Sequence, residues 1–117
     1  MNELAIGDKR DCQALMLSVR DALDVFSGKW KLLIIISLTN GNKRFREIER
    51  SIPKISSKVL AKELKDLEEH KLIKRTVYDE VPVLVEYTAT EHVNSLENVI
   101  LELHKWGVTH RKKVIKG

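Results

Sequence analysis

The sequence predicts a mainly α fold that carries one small antiparallel β-hairpin, an α+β arrangement within a single domain. Three observations lead there. Leu60, Leu64 and Leu67 recur at helical spacing, and Lys58, Lys62 and Lys65 repeat that spacing two residues out of phase. A two-residue offset is about 200° around a helix, so the two stripes lie on opposite faces of one element. A short helical pattern ending at Pro53 precedes it, and two runs rich in Val, Ile and Tyr follow it.

The elements follow in order. Residues 1–11 are polar and are expected to be flexible. From Leu15, apolar residues recur at Val19, Ala22, Leu23 and Phe26, a helical pattern that Ser27-Gly28 interrupts. The run from Lys29 to Leu38 holds three consecutive isoleucines, which favour strand. Its length and its stop at Asn40-Gly41 instead predict a helix that is apolar nearly all round. Asn42 is expected to cap the next helix, about Lys43 to Ile52, whose buried face is Phe45, Ile48 and Ile52. Pro53 ends that helix, because proline disfavours helical geometry in the residue before it.

Pro53-Lys54-Ile55 then forms a turn, and Ser56 caps the Leu/Lys helix of residues 56–70. Leu72–Tyr78 and Val83–Tyr87 read as two strands joined by Asp79-Glu80-Val81-Pro82. Thr90 is placed to cap a last helix, with Thr88 and Glu91 as a competing capping box. Val93, Leu96, Ile100, Leu103 and Trp106 give this helix an apolar stripe.

Helix, short turn, helix and β-hairpin in that order make a winged helix-turn-helix. In that frame the first helix braces the second, which presents its N-terminal turns to the major groove of double-stranded DNA. Ser57, Lys58, Ala61, Lys62 and Lys65 form its outward face, with Arg44, Lys54 and Ser56 placed to contact phosphates. Charge distribution agrees. The chain has a net charge of +4, yet residues 42–75 alone hold 11 Lys or Arg against 6 Asp or Glu. Such a focused basic field suits a polyanion, although a charged helix face taken alone is equally a solubilising surface.

Other function classes find little support. A single cysteine, Cys12, excludes an intrachain disulfide and a multi-cysteine metal site. The four histidines include no i, i+4 pair. No phosphate-binding glycine loop or nucleophile elbow occurs, so the chain does not read as an enzyme and no cofactor is expected. Trp30 and Trp106 are expected in the core or at an interface between subunits. No signal-peptide pattern is seen, and the longest apolar run, Leu32–Ile36, is far short of a membrane span, so the cytoplasm is the expected location.

Several motifs together resemble the HxlR family of bacterial winged-helix regulators. Ser27-Gly28-Lys29-Trp30 with its aliphatic run is similar to that family's GGKW opening. Arg44-Phe45-Arg46-Glu47-Ile48 resembles RFxEL, and Ile55-Ser56-Ser57-Lys58-Val59-Leu60 resembles GISxKxL. Tyr78-Asp79-Glu80-Val81-Pro82, ending in Val85-Glu86-Tyr87, resembles the YxEVPxxVEY wing.

The resemblance implies a homodimer built by helices over 14–27 and 90–112, with residues 42–87 as the DNA-binding part. It implies repression from an inverted-repeat operator, with a small-molecule or oxidant effector in some members. Several members sense oxidants through a cysteine near the N-terminus. Here that position aligns with Leu17, and Cys12 lies five residues upstream as the candidate redox sensor. Lys71 stands in place of a turn glycine, and Leu84 in place of a basic wing residue. The acidic wing also suits an alternative role as a protein-interaction module.

Overall fold

The computed structural model describes residues 9–116. Five α-helices and one hairpin follow the predicted order: α1 (Lys9–Val25), α2 (Lys31–Thr39), α3 (Phe45–Ser51), α4 (Ser57–Glu69), β1 (Ile73–Tyr78), β2 (Leu84–Ala89) and α5 (Glu97–Lys116). A 3-10 helix over Glu91–Leu96 precedes α5.

The core lies where α2, α3, α4 and the base of the hairpin meet. Ile34, Ile35, Ile48, Leu60, Leu64 and Leu67 are almost fully buried there. Burial of this kind contributes roughly 1.5–3 kcal/mol per side chain. The leucine stripe of α4 is therefore its inner face.

Each helix stop has a local cause. Gly41, at φ +100°, closes α2 in a Schellman motif: its amide bonds Leu38 O and that of Asn42 bonds Ser37 O. The α4 terminus uses the same motif with Lys71 in the glycine position. Lys71 N bonds Glu68 O, Leu72 N bonds Leu67 O, and Lys71 sits at φ 61°. Leu72 and Leu67 are both buried, the apolar contact that accompanies this motif. Lys54, in the turn between α3 and α4, also takes a left-handed φ of 68°.

The hairpin pairs Ile73 with Ala89 through to Tyr78 with Leu84. The second strand thus begins one residue later than expected and runs two residues further. Its far end is tied down: Thr90 Oγ1 donates to Lys71 O and Leu72 O, and Tyr87 N donates to Lys43 O at 2.8 Å. With its hydroxyl used there, Thr90 does not cap the following helix. The expected helix start is instead a 3-10 turn that carries Val93 into the core.

Two further expectations are corrected. Residues 9–11 are helical rather than part of a flexible terminus, and residues 1–8 lie outside the described residues. Asn42 does not cap α3. Its amide donates to Ser37 Oγ at 3.1 Å, and the Glu47 carboxylate accepts the Lys43 and Arg44 amides, each at 3.0 Å. Arg44 occupies the cap position, but a guanidinium has no acceptor, so only the returning half of a capping box forms.

The terminal helices leave the core. No residue of α1 is buried, and the apolar stripe that starts against the core at Leu96 of the 3-10 helix and Ile100 of α5 ends in the open at Leu103 and Trp106. Trp106 is 67% exposed and stacks on His110 at 4.7 Å, whereas Trp30 packs against the core. The radius of gyration is 17.4 Å, against about 13 Å for a compact domain of this length. Accessible surface is 9460 Å², against about 6,500 Å² for a compact monomer of this mass.

The left-handed Lys71 gives a stability prediction. Glycine adopts this geometry without the Cβ penalty, at some cost in unfolded-state entropy. Lys71→Gly is expected to stabilise the fold by about 0.5–1 kcal/mol, seen as a higher midpoint in urea unfolding with an unchanged slope.

Candidate nucleic-acid interface

The candidate interface is built on α3, its turn and α4. Ser56 caps α4 as expected: its φ and ψ are extended, and its hydroxyl oxygen accepts the Val59 amide at 3.1 Å. Ser57 opens the helix, and its hydroxyl donates to Glu49 on α3. Below, α2 and α3 are joined through a polar contact. Ser51 Oγ donates to Ile48 O, so Ser37 is the donor in the 2.6 Å Ser37–Ser51 bond, and Ser37 in turn accepts from Asn42. The helix-turn-helix is thus fixed by hydrogen bonds as well as by its core.

Lys58, Ala61, Lys62 and Lys65 are exposed on the outer face of α4, opposite the buried leucines. Ser56, Ser57, Lys54 and Arg44 are exposed beside them, at the N-terminal end of α4, in the turn and before α3. The chain therefore carries eight of its nine candidate residues on one contiguous segment. Cys12 does not join them: it is half-buried in the first turns of α1.

Beneath the outer face lies a feature that the sequence did not signal. Lys31 opens α2 and is only 4% exposed. Its ammonium donates to Glu63 Oε1 at 2.8 Å and lies 3.5 Å from Asp66 Oδ2, both on α4. Glu63 is 5% exposed. The turn before α2 covers its other side: a Cβ on Gly28, which sits at φ +81°, would lie 4.0 Å from Glu63 Oε2. From the solvent side Lys62 Nζ reaches the same two atoms, 3.6 Å from Glu63 Oε1 and 3.5 Å from Asp66 Oδ2. Nothing local betrays this cluster, because Lys31 merely flanks an apolar run and its main partner is 32 residues away.

The electrostatics follow. Burial works to lower the Lys31 pKa, but hydrogen bonding and charge from Glu63, then Asp66, outweigh it and hold it above its ordinary 10.5. Burial alone would raise Asp66, and Lys62 and Lys31 together hold it below its ordinary 3.8. The amides of Arg44 and Lys43 hold Glu47 below its ordinary 4.5.

The wing is less basic. Lys74 and Arg75 are exposed on β1, near the base of the hairpin, while Asp79, Glu80, Val81 and Val83 are exposed around its tip. Among the described residues no cluster of three His, Cys, Asp or Glu is placed to hold a metal ion, and no helix is long and apolar enough to cross a membrane.

A braced helix with an exposed basic face, followed by a two-stranded wing, defines a winged helix-turn-helix regulator that binds DNA and controls transcription. The particular group is equally clear: the HxlR-like helix-turn-helix family model matches residues 25–114, and the chain belongs to that family. It is 42% identical over 98 residues to the regulator YtcD of Bacillus subtilis, an alignment that covers 84% of this chain and 78% of that protein. It is also 42% identical over 88 residues to the B. subtilis regulator YodB, covering 75% and 79%. The solved structure of the redox regulator HypR in its reduced form superposes with a TM-score of 0.77 at 36% identity, covering 86% of this chain and 99% of that one.

Glu47 and Asp66 yield a pH prediction. Both carboxyls titrate lower folded than unfolded, so the stability they supply is complete above their ordinary values and is lost as pH falls through the folded ones. Lys31, raised when folded, loses its contribution only at high pH. Glu47→Gln should therefore lower the melting temperature at neutral pH, by a margin that narrows as pH falls from about 5 to 3.

Proposed function

We propose that this regulator acts as a homodimeric repressor in the cytoplasm, with residues 56–70 in the major groove of each half of an inverted-repeat operator. The observation that carries the reading is the division of α4 into a buried leucine face and an exposed face of Lys58, Ala61, Lys62 and Lys65. Lys58 and Lys65 form no ion pair among the described residues, so their charges are available to phosphates. Arg44, Lys54, Ser56 and Ser57 would add contacts that set register, and the exposed methyl of Ala61 permits close approach to a base edge.

Dimerisation is supported by the terminal helices. The surface exceeds that of a compact monomer by about 3,000 Å², and many of the exposed apolar side chains, among them Leu17, Leu23, Leu103 and Trp106, lie on α1 and α5. Two-fold symmetry then places half-sites about 10 bp apart, or a multiple of that. Sedimentation at micromolar concentration should give a dimer, and Leu103→Asp should shift it toward monomer. A wild-type monomer with DNA affinity equal to that of the variant would contradict this reading.

Lys62→Ala should weaken binding several-fold and flatten the plot of log affinity against log salt by about 1 per half-site, because each lost phosphate contact retains its counterions. Fluorescence anisotropy on a duplex selected by the wild-type protein from a random-sequence library measures both. Unchanged affinity and slope would remove α4 from the interface.

A second reading adds redox control. It is supported by the relatives solved in reduced and oxidised or quinone-bound forms, HypR and YodB. Here the thiol would be Cys12, on a helix whose unburied faces suit a subunit interface. Diamide treatment should yield a Cys12-dependent dimer on a non-reducing gel together with altered DNA affinity, and both changes should vanish in Cys12→Ser.

A further inference from the structure

The Lys31 cluster brings two ammonium groups and two carboxylates together. Glu63 Oε1 and Asp66 Oδ2 are each shared between Lys31 and Lys62, at 2.8 and 3.6 Å and at 3.5 and 3.5 Å. The four groups sum to zero charge. One side of the cluster is closed: Lys31 and Glu63 are buried between α2, α4 and the turn at Gly28. The other side is open, since the Lys62 side chain is 73% exposed.

Lys62 therefore shares its two carboxylates with a second cation, which offsets one of their two negative charges. Its attraction to them is weak enough to give up in exchange for a phosphate. Without the charge on Lys31 the same carboxylates face Lys62 alone, and the cluster carries one net negative charge under a face that must approach a polyanion.

We propose that Lys31 is a positioning residue for DNA binding: from inside the protein its ammonium offsets one of the two charges of Glu63 and Asp66, and so loosens their hold on Lys62, which can then reach the phosphate backbone. Lys31 itself touches no DNA. The inference rests on the reading of α4 as the DNA-contacting helix. It extends the interface to a side chain that a contact map of the complex would omit.

The test uses the full chain and the selected duplex, with affinity measured from about 50 to 200 mM KCl. Lys31→Gln keeps an amide that can donate to Glu63, which preserves the fold while removing the charge; thermal melts verify folding of every variant. Lys31→Gln should weaken binding several-fold and lower the salt slope by about 1 per half-site, as Lys62→Ala does. Adding Lys62→Ala to Lys31→Gln should lower the salt slope no further. Lys31→Gln with Glu63→Gln, which restores a neutral cluster, should recover most of the affinity and slope.

A merely structural Lys31 would not move the salt slope. The proposal is overturned if Lys62→Ala keeps its full effect on the salt slope in the Lys31→Gln background, or if the Glu63→Gln combination stays as weak as Lys31→Gln alone. No effect of Lys62→Ala in the otherwise wild-type protein would instead defeat the DNA-contact reading, and this inference with it.

Discussion

Everything in this molecule is arranged around the two faces of one thirteen-residue helix. Leu60, Leu64 and Leu67 hold α4 to the core, and their burial leaves its outer face nowhere to turn. An amphipathic helix of this length would be marginal alone in water. Tertiary packing makes it stable, and the same packing fixes the direction in which Lys58, Lys62 and Lys65 point. The exposed basic face and the buried face that stabilises the fold therefore share one element, on opposite sides of it.

The ends of that element are secured separately. Ser56 satisfies an orphan amide at its start, and the Schellman turn at Lys71 satisfies carbonyls at its finish. At the side, Lys31 ties α4 to α2 through Glu63. A buried ion pair gives little net stability, because desolvation offsets the attraction, but it is selective about geometry. An apolar side chain in place of Lys31 alone would leave Glu63 and Asp66 facing Lys62, with one net negative charge.

Much of this was legible in the sequence because the signals are local and periodic. The opposed stripes, the Asn40-Gly41 stop, the Pro53 turn, the Ser56 cap and the hairpin each depend on residues a few positions apart. Expectations went wrong where a side chain had a competing partner. Asn42 and Thr90 are good caps by type, but Asn42 is drawn to Ser37, and Thr90 to the carbonyls of Lys71 and Leu72. Lys31 and Glu63 were missed for a related reason: a charged residue beside an apolar run reads as surface, and only the tertiary fold brings its partner to it. The terminal helices were legible as amphipathic, but their sequence pattern does not say whether the apolar faces close on this chain or on another.

The central claim is that the outer face of α4 is the surface that meets DNA. Amide chemical shifts in an ¹⁵N-labelled protein titrated with the selected duplex test it most directly. The account predicts that the largest changes fall on Ser57 to Lys65, with smaller ones at Arg44 and Lys54 and little at the buried leucines' far side of the core. Changes concentrated on α1, α5 or the acidic tip of the wing, with residues 57–65 unmoved, would contradict it.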